Sequence, residues 1–304
     1  MKHRHVGVVG AGSFGRHHVR HLCAHPRVGR VTIIDRDQNR ADSVAKAHGA
    51  ATAASVDELD LDAAVVVVPT ESHFAVAAPL LERGIPCLIE KPVTGTTRDG
   101  ESLNAIAARA GTFVQVGHIE RFSGAFEALA AGAGPVRHIA ARRHNPARPV
   151  PPVADVVLDL MIHDIDLVLT LAASRVTGLE AFAPDGTGQE AVSARLTFAS
   201  GAVAEISASR LAPVMERSLV VHDAGGVWHA DLAQKSLHRF AGGALSEIEI
   251  DRDRDSLALE IDEFIAAVDG RQNPRVDGVA GLAALRVANE IRAALSPVSL
   301  QLSA

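Results

Sequence analysis

The chain has 304 residues, more than one hydrophobic core usually serves, so two domains are expected. Apolar residues make up 47% and charged residues 22%, and the net charge is −6 with Arg142-Arg143 as the only adjacent basic pair, which argues against nucleic acid or anionic membrane as a partner. No apolar run is long enough to cross a bilayer, none follows Met1, and Cys23 and Cys87 are too few for a disulfide framework, so free thiols in a reducing cytoplasm are expected.

In the first 120 residues, β-branched runs at 5–9, 31–34, 64–68, 87–89 and 113–116 alternate with helix-patterned stretches at 15–26, 39–48, 73–83 and 97–110. Runs that are apolar throughout suit strands covered on both faces, and the alternation predicts a doubly wound parallel sheet. The pattern changes near residue 120. Pro146, Pro149, Pro151 and Pro152 exclude regular helix or central strand there, and an apolar helix is expected over 155–172. Strand candidates follow at 176–183, 190–199, 202–210, 217–223, 226–230 and 236–239, separated by turns such as Asp185-Gly186, Ser200-Gly201 and Gly225-Gly226. Helices over 255–269 and 278–294 close the chain. The expected architecture is an α/β domain over 1–119 and an α+β domain over 120–304 with a large, mostly antiparallel open sheet, its last helix packing back on the first domain.

Gly10-Ala11-Gly12-Ser13-Phe14-Gly15 places a Gly-x-Gly-x-x-Gly directly after a strand and at the start of a helix. Gly10 serves the tight turn, Gly12 a close approach by a pyrophosphate, and Gly15 helix–strand packing, with the helix N–H groups receiving the phosphate charge. Asp35, 20 residues after Gly15, stands where a carboxylate meets the adenosine ribose of a dinucleotide. Its charge favours NAD, while the adjacent Arg36 leaves NADP open.

Ile89-Glu90-Lys91-Pro92 closes the fourth predicted strand, at the edge where such sheets bind ligands. The chain uses four lysines against 26 arginines, and only an ammonium can be tuned into a proton-transfer group. Lys91 is therefore a catalytic candidate. Asp159 and His163 stand four apart on the predicted 155–172 helix, so a carboxylate could orient a basic imidazole; both are candidates too. With no tyrosine in the chain, some other group must supply the proton chemistry. His17, His18, His21 and His25 have no acidic neighbour in sequence and are read as a solvated helix face, so no metal is expected.

Taken together, the Gly10–Gly15 loop, Pro69-Thr70 with His73, Glu90-Lys91-Pro92 and Asp159-x-x-x-His163 resemble the glucose–fructose oxidoreductase / inositol dehydrogenase / rhizopine catabolism family of NAD(P)-dependent oxidoreductases. The segments around Val116–Phe122, Val157–Asp166 and Ser200–Ala204 look like its UDP-N-acetylglucosamine 3-dehydrogenase branch, with Ser123-Gly124 where that branch carries Asn-Pro. The resemblance implies a Rossmann domain and hydride transfer between a sugar hydroxyl and NAD. It implies that Lys91 holds the reacting hydroxyl, His163 takes or relays the proton, and Asp159 binds substrate or orients His163. Pro69, Thr70, His73, Glu90 and His118 would line the nicotinamide end, and Glu120 and Arg121 would contact sugar or phosphate. Pairing through the open sheet as a homodimer or homotetramer is implied as well. An inositol, aldose or other nucleotide-sugar dehydrogenase, an NAD-dependent glycosidase and a non-catalytic NAD(H) sensor stay open as alternatives.

Overall fold

The computed structural model describes residues 3–147 and 154–295. Two compact units emerge. The first combines the described residues up to Ile119 with Asp255–Ala283, and the second combines Glu120–Arg254 with the described residues from Ala284 onward.

Unit 1 is built on a parallel sheet of β1 (Arg4–Val9), β2 (Val28–Ile34), β3 (Ala51–Ala53), β4 (Ala63–Val66), β5 (Cys87–Glu90) and β6 (Val114–Gly117). Their spatial order is β3-β2-β1-β4-β5-β6. All of β4 and β5 is buried, as the unbroken apolar runs predict. The short Ala-Thr-Ala strand β3 has no such run and no sequence signal announced it. Helices α1 (Gly15–Ala24), α2 (Gln38–His48), α3 (His73–Glu82) and α4 (Thr97–Arg109) connect the strands. Because β1 lies between β2 and β4, the order reverses there, and the connections leaving β1 and β4 diverge to leave a crevice at the carboxyl ends.

One helix of unit 1 comes from far along the chain. In α7 (Ser256–Val268), Asp255 caps the N-terminus through Leu257 and Ala258 N–H, and Leu257, Ile261, Phe264 and Ile265 join the core around Val19, Leu22, Val31 and Ile33. Asp269 then accepts ion pairs from Arg4 and Arg27 at 2.8 and 3.1 Å. The domain division expected from sequence thus changes: α7 and the first turns of α8 (Gly278–Ala294) belong with unit 1. Periodicity reveals an apolar face but not which core it covers.

Unit 2 carries an eight-stranded sheet of order β14-β13-β12-β11-β7-β10-β9-β8. Its strands are β7 (Val136–His144), β8 (Val176–Phe182), β9 (Ala191–Phe198), β10 (Val203–Ser209), β11 (Glu216–Asp223), β12 (Val227–Asp231), β13 (Ser236–Ala241) and β14 (Ala244–Glu247). Only the β7–β10 pair is parallel. One face packs on α5 (Gly124–Gly132), on α6 (Ile162–Ala172) and on Ala284, Val287, Ala288 and Ile291 of α8. Along β7, Ile139, Ala141 and Arg143 point to that core while His138, Ala140 and Arg142 alternate to the other face. The expected helix over 155–172 is split: Val157–Met161 is a π-helical turn that runs into α6. Pro149, Pro151 and Pro152 lie outside the described residues.

Candidate active site

The loop after β1 is shaped by its own backbone. Gly10 has φ +105°, and a Cβ there would run into the Val67 carbonyl, so only glycine fits. At Gly12 an added Cβ would meet nothing within 4 Å, which leaves an open cradle rather than a packing constraint. Beyond it, α1 begins with no side-chain cap and no acidic residue in its first turn, so its N–H groups are suited to an anion. Ser13 and Phe14 are exposed at this end. Asp35, at the carboxyl end of β2, accepts from Ala11 N–H at 2.6 Å, Asp37 N–H at 2.8 Å and Arg40 at 2.9 Å. Burial would raise its carboxyl, but these donors prevail and hold it below the ordinary carboxylate range. Arg36 is exposed beside it, and Arg40 is a cation that the sequence reading overlooked. An uncapped helix, an open glycine position and a fixed carboxylate are what the two ends of a dinucleotide's diphosphate–ribose stretch require.

Lys91 follows β5 and is half-buried. Its backbone N–H donates to Glu90 Oε2 at 3.2 Å, and Glu90 Oε1 lies 2.8 Å from His18 Nε2. The Glu90 carboxyl sits over Gly117, where a Cβ would come within 3.0 Å of it, so a larger residue would displace the carboxyl. His73, buried, spans the two loops of this region, with Nδ1 2.9 Å from Pro92 O and Nε2 2.9 Å from Val68 O. Its burial lowers the imidazole against the opposing pull of those carbonyls. Pro69 and Thr70 begin the turn that leads into α3, and His118 is buried just past β6. The residues expected at the nicotinamide end therefore share the carboxyl edge of β4, β5 and β6.

In unit 2 the acidic residues around His163 each have an arginine. Asp159 accepts from Arg210 at 2.8 Å, and Arg210 also donates to the Ala154 carbonyl at 2.8 Å. Asp164 receives both Nε and Nη2 of Arg143, at 3.0 and 2.9 Å, and Arg143 also meets Glu120 at 2.8 Å. Asp166 receives Arg121 at 2.6 and 2.9 Å. Arg143 is 2% exposed; burial works against its charge, and Asp164 and Glu120 together hold the guanidinium protonated. His163 is half-buried on the first turn of α6, and Asp159 lies within the π-helical turn that precedes it. A tighter α-helix over both residues was the expectation; the wider turn alters their relative direction.

Residues 4–118 match the profile of an oxidoreductase family with an NAD-binding Rossmann fold, and residues 125–228 match the GFO/IDH/MocA C-terminal domain. The chain is 33% identical to UDP-N-acetylglucosamine 3-dehydrogenase of Acidithiobacillus ferrooxidans over 97% of this chain and 98% of that one. The chain belongs to the GFO/IDH/MocA family of oxidoreductases. The solved structure of the same Acidithiobacillus enzyme superposes with a TM-score of 0.91 over 97% of this chain and 98% of that one. An inositol 2-dehydrogenase of Leifsonia xyli is 30% identical over 58% of this chain and 55% of its own length.

As a GFO/IDH/MocA oxidoreductase this chain uses NAD, and the glycine loop and Asp35 have the form that cofactor needs. The histidines of α1 depart from a solvated face. His18 is fully buried, His21 lies 3.5 Å from Asp255, and His25 lies 3.1 Å from Asp262. The acids missing from the local sequence arrive with α7. Arg210, Arg143 and His18 hold site residues and were not chosen by sequence reasoning; their partners lie too far off in the chain to leave a local signal.

Proposed function

We propose that this enzyme removes a hydride from a secondary carbinol carbon of a nucleotide sugar, with the 3-hydroxyl of UDP-N-acetylglucosamine as the reacting group. The observation that carries the reading is the match to UDP-N-acetylglucosamine 3-dehydrogenase, which spans both units in sequence and in fold. NAD, when bound, supplies the hydride acceptor. Lys91 binds the reacting hydroxyl and stabilises the alkoxide as it forms, on a turn steadied by Glu90 and His73. His163 takes the hydroxyl proton, and Asp159, held by Arg210, orients the imidazole or a sugar hydroxyl. The Gly12 cradle and the start of α1 receive the diphosphate, Asp35 the adenosine ribose, and Pro69, Thr70, His73, Glu90 and His118 line the nicotinamide end. Glu120 and Arg121, engaged with Arg143 and Asp166, set the shape of the sugar site rather than offer it free charge. Two copies or four associate through the open face of the eight-stranded sheet, and the two free cysteines suit a cytoplasmic setting.

The test is NADH formation from NAD with UDP-N-acetylglucosamine, with inositol and glucose as controls, the oxidised product trapped and Lys91→Ala run alongside. NADH with the nucleotide sugar alone, reduced at least about 100-fold in the variant, is expected. NAD binding without NADH from any of the three would overturn the reading in favour of a glycosidase or a sensor.

A further inference from the structure

Beneath the Lys91 backbone, unit 1 brings together three ionisable side chains from distant parts of the chain. His18 comes from α1, Glu90 from the end of β5 and Glu260 from the second turn of α7. One donor atom of each lies within 4.8 Å of the other two. His18 and Glu260 are fully buried. Glu90 is engaged at both oxygens, with His18 Nε2 at 2.8 Å and the Lys91 N–H at 3.2 Å.

Glu260 has the opposite surroundings. Neither carboxyl oxygen has a hydrogen-bond partner among the described residues, and Nδ1 of His18 has none either. The helix that carries Glu260 is fixed, since Gln115 donates to the Glu260 backbone carbonyl at 3.1 Å. The charges that bear on Glu260 are acidic: Glu90 across from it and Glu263 on its own helix. Arg275 is engaged by Glu263 through its side chain at 2.6 Å and its N–H at 2.9 Å. Burial first, then repulsion from Glu90 and Glu263, push the Glu260 carboxyl well above the ordinary carboxylate range. Two neighbouring carboxylates without a cation cannot both ionise in a buried site, and the one without donors keeps its proton.

We propose that Glu260 is held as the neutral acid and, together with His18, acts as a positioning residue that keeps the Glu90 carboxyl in place under the Lys91 turn. The inference rests on the reading of Lys91 as the residue that binds the reacting hydroxyl. Its chemistry is a matter of where one proton resides. A carboxylate pair with an imidazole is also a donor set for a divalent cation, but that occupant requires Glu260 to be ionised. The two assignments therefore make opposite predictions.

The experiment is infrared spectroscopy of the purified full-length protein at neutral pH, comparing wild type with Glu260→Gln. The expected result is the carbonyl stretch of a protonated carboxylic acid, shifted in heavy water and missing from the variant, and persisting as pH rises past the usual carboxylate range. Alongside it, Glu260→Ala is expected to lower kcat about tenfold with KM for NAD nearly unchanged, and Glu260→Gln, which mimics the neutral acid, to restore most of that loss. A wild-type spectrum without the band, or a band that survives in Glu260→Gln, overturns the proposal. So does a divalent metal found at one per chain and removed by a chelator together with the effect on kcat. The infrared signal needs no substrate. Should the band be present while Lys91→Ala keeps full activity, the Lys91 reading fails and the positioning role falls with it, leaving only the protonated acid.

Discussion

Arg143 and Asp164 face each other in the core of unit 2 at 2% and 1% exposure, with two hydrogen bonds between them. Removing one partner leaves a buried charge without compensation, which costs about 3–5 kcal/mol, whereas replacing both by apolar residues of similar volume is often close to neutral. Arg143→Met is therefore expected to lower the stability of the enzyme by about 3–5 kcal/mol. Adding Asp164→Leu should restore most of it. Urea unfolding of the two variants and wild type checks this, and a loss below about 1 kcal/mol for Arg143→Met would mean that Glu120 and water already relieve the pair. Residues at this scale also show the limit of reading a chain in order. The glycine loop, Asp35 and the Glu90-Lys91-Pro92 turn were legible because each motif is local and its neighbours in sequence are its neighbours in space. The partner of Asp159 is 51 residues away and the partner of Glu90 is 72 residues away. Nothing in a local pattern pairs such residues until the strands and helices are packed.

The strands of unit 2 were found where one face is buried and side chains alternate. Strand β7 was missed because its buried positions include Arg143 and its other positions carry Arg137, His138, Arg142 and His144, so no apolar period remains. Strand β14 is exposed along its whole length and has no period to read. The π-helical turn left no trace either, since apolar spacing does not distinguish it from the helix that continues it. Once the register is known, the open face of the sheet becomes a specific surface. His138 and His222 stack edge to face at 5.5 Å, and Val227, Phe240 and Leu245 continue that row across β12, β13 and β14. Phe240 and Leu245, side by side on β13 and β14, are both exposed, an apolar pair on this face left to water. If a second copy covers it, Phe240→Asp with Leu245→Asp is expected to convert a dimer or tetramer to monomer in sedimentation velocity, with the circular dichroism unchanged. A wild-type enzyme that sediments as a monomer rules the assembly out.

For the molecule as a whole, the decisive fact is that unit 1 is not a continuous stretch of chain. It leaves off at Ile119 and is completed by a segment that begins at Asp255. The four apolar residues Leu257, Ile261, Phe264 and Ile265 of α7 cover Val19, Leu22, Val31 and Ile33, a contribution of about 1.5–3 kcal/mol each when fully buried, or about 6–12 kcal/mol together. That is comparable with the entire stability of a typical domain, about 5–15 kcal/mol. The same helix provides Glu260 and adds Asp262 and, just beyond its end, Asp269 to Arg4 and Arg27, so its loss would leave Arg27 without these two carboxylates and Arg4 with Asp62. A fragment of residues 1–119, although it contains every glycine of the cofactor loop and Asp35, is accordingly expected to show no cooperative thermal transition and no measurable NAD binding. In the intact chain, Phe264→Ala should reproduce part of the defect, a loss of about 3–5 kcal/mol in urea unfolding with weaker NAD binding only where unfolding begins. A fragment 1–119 that melts cooperatively and binds NAD as tightly as the full enzyme would show that β1 and its neighbours close their own core, and that α7 is an addition to the domain instead of its missing wall.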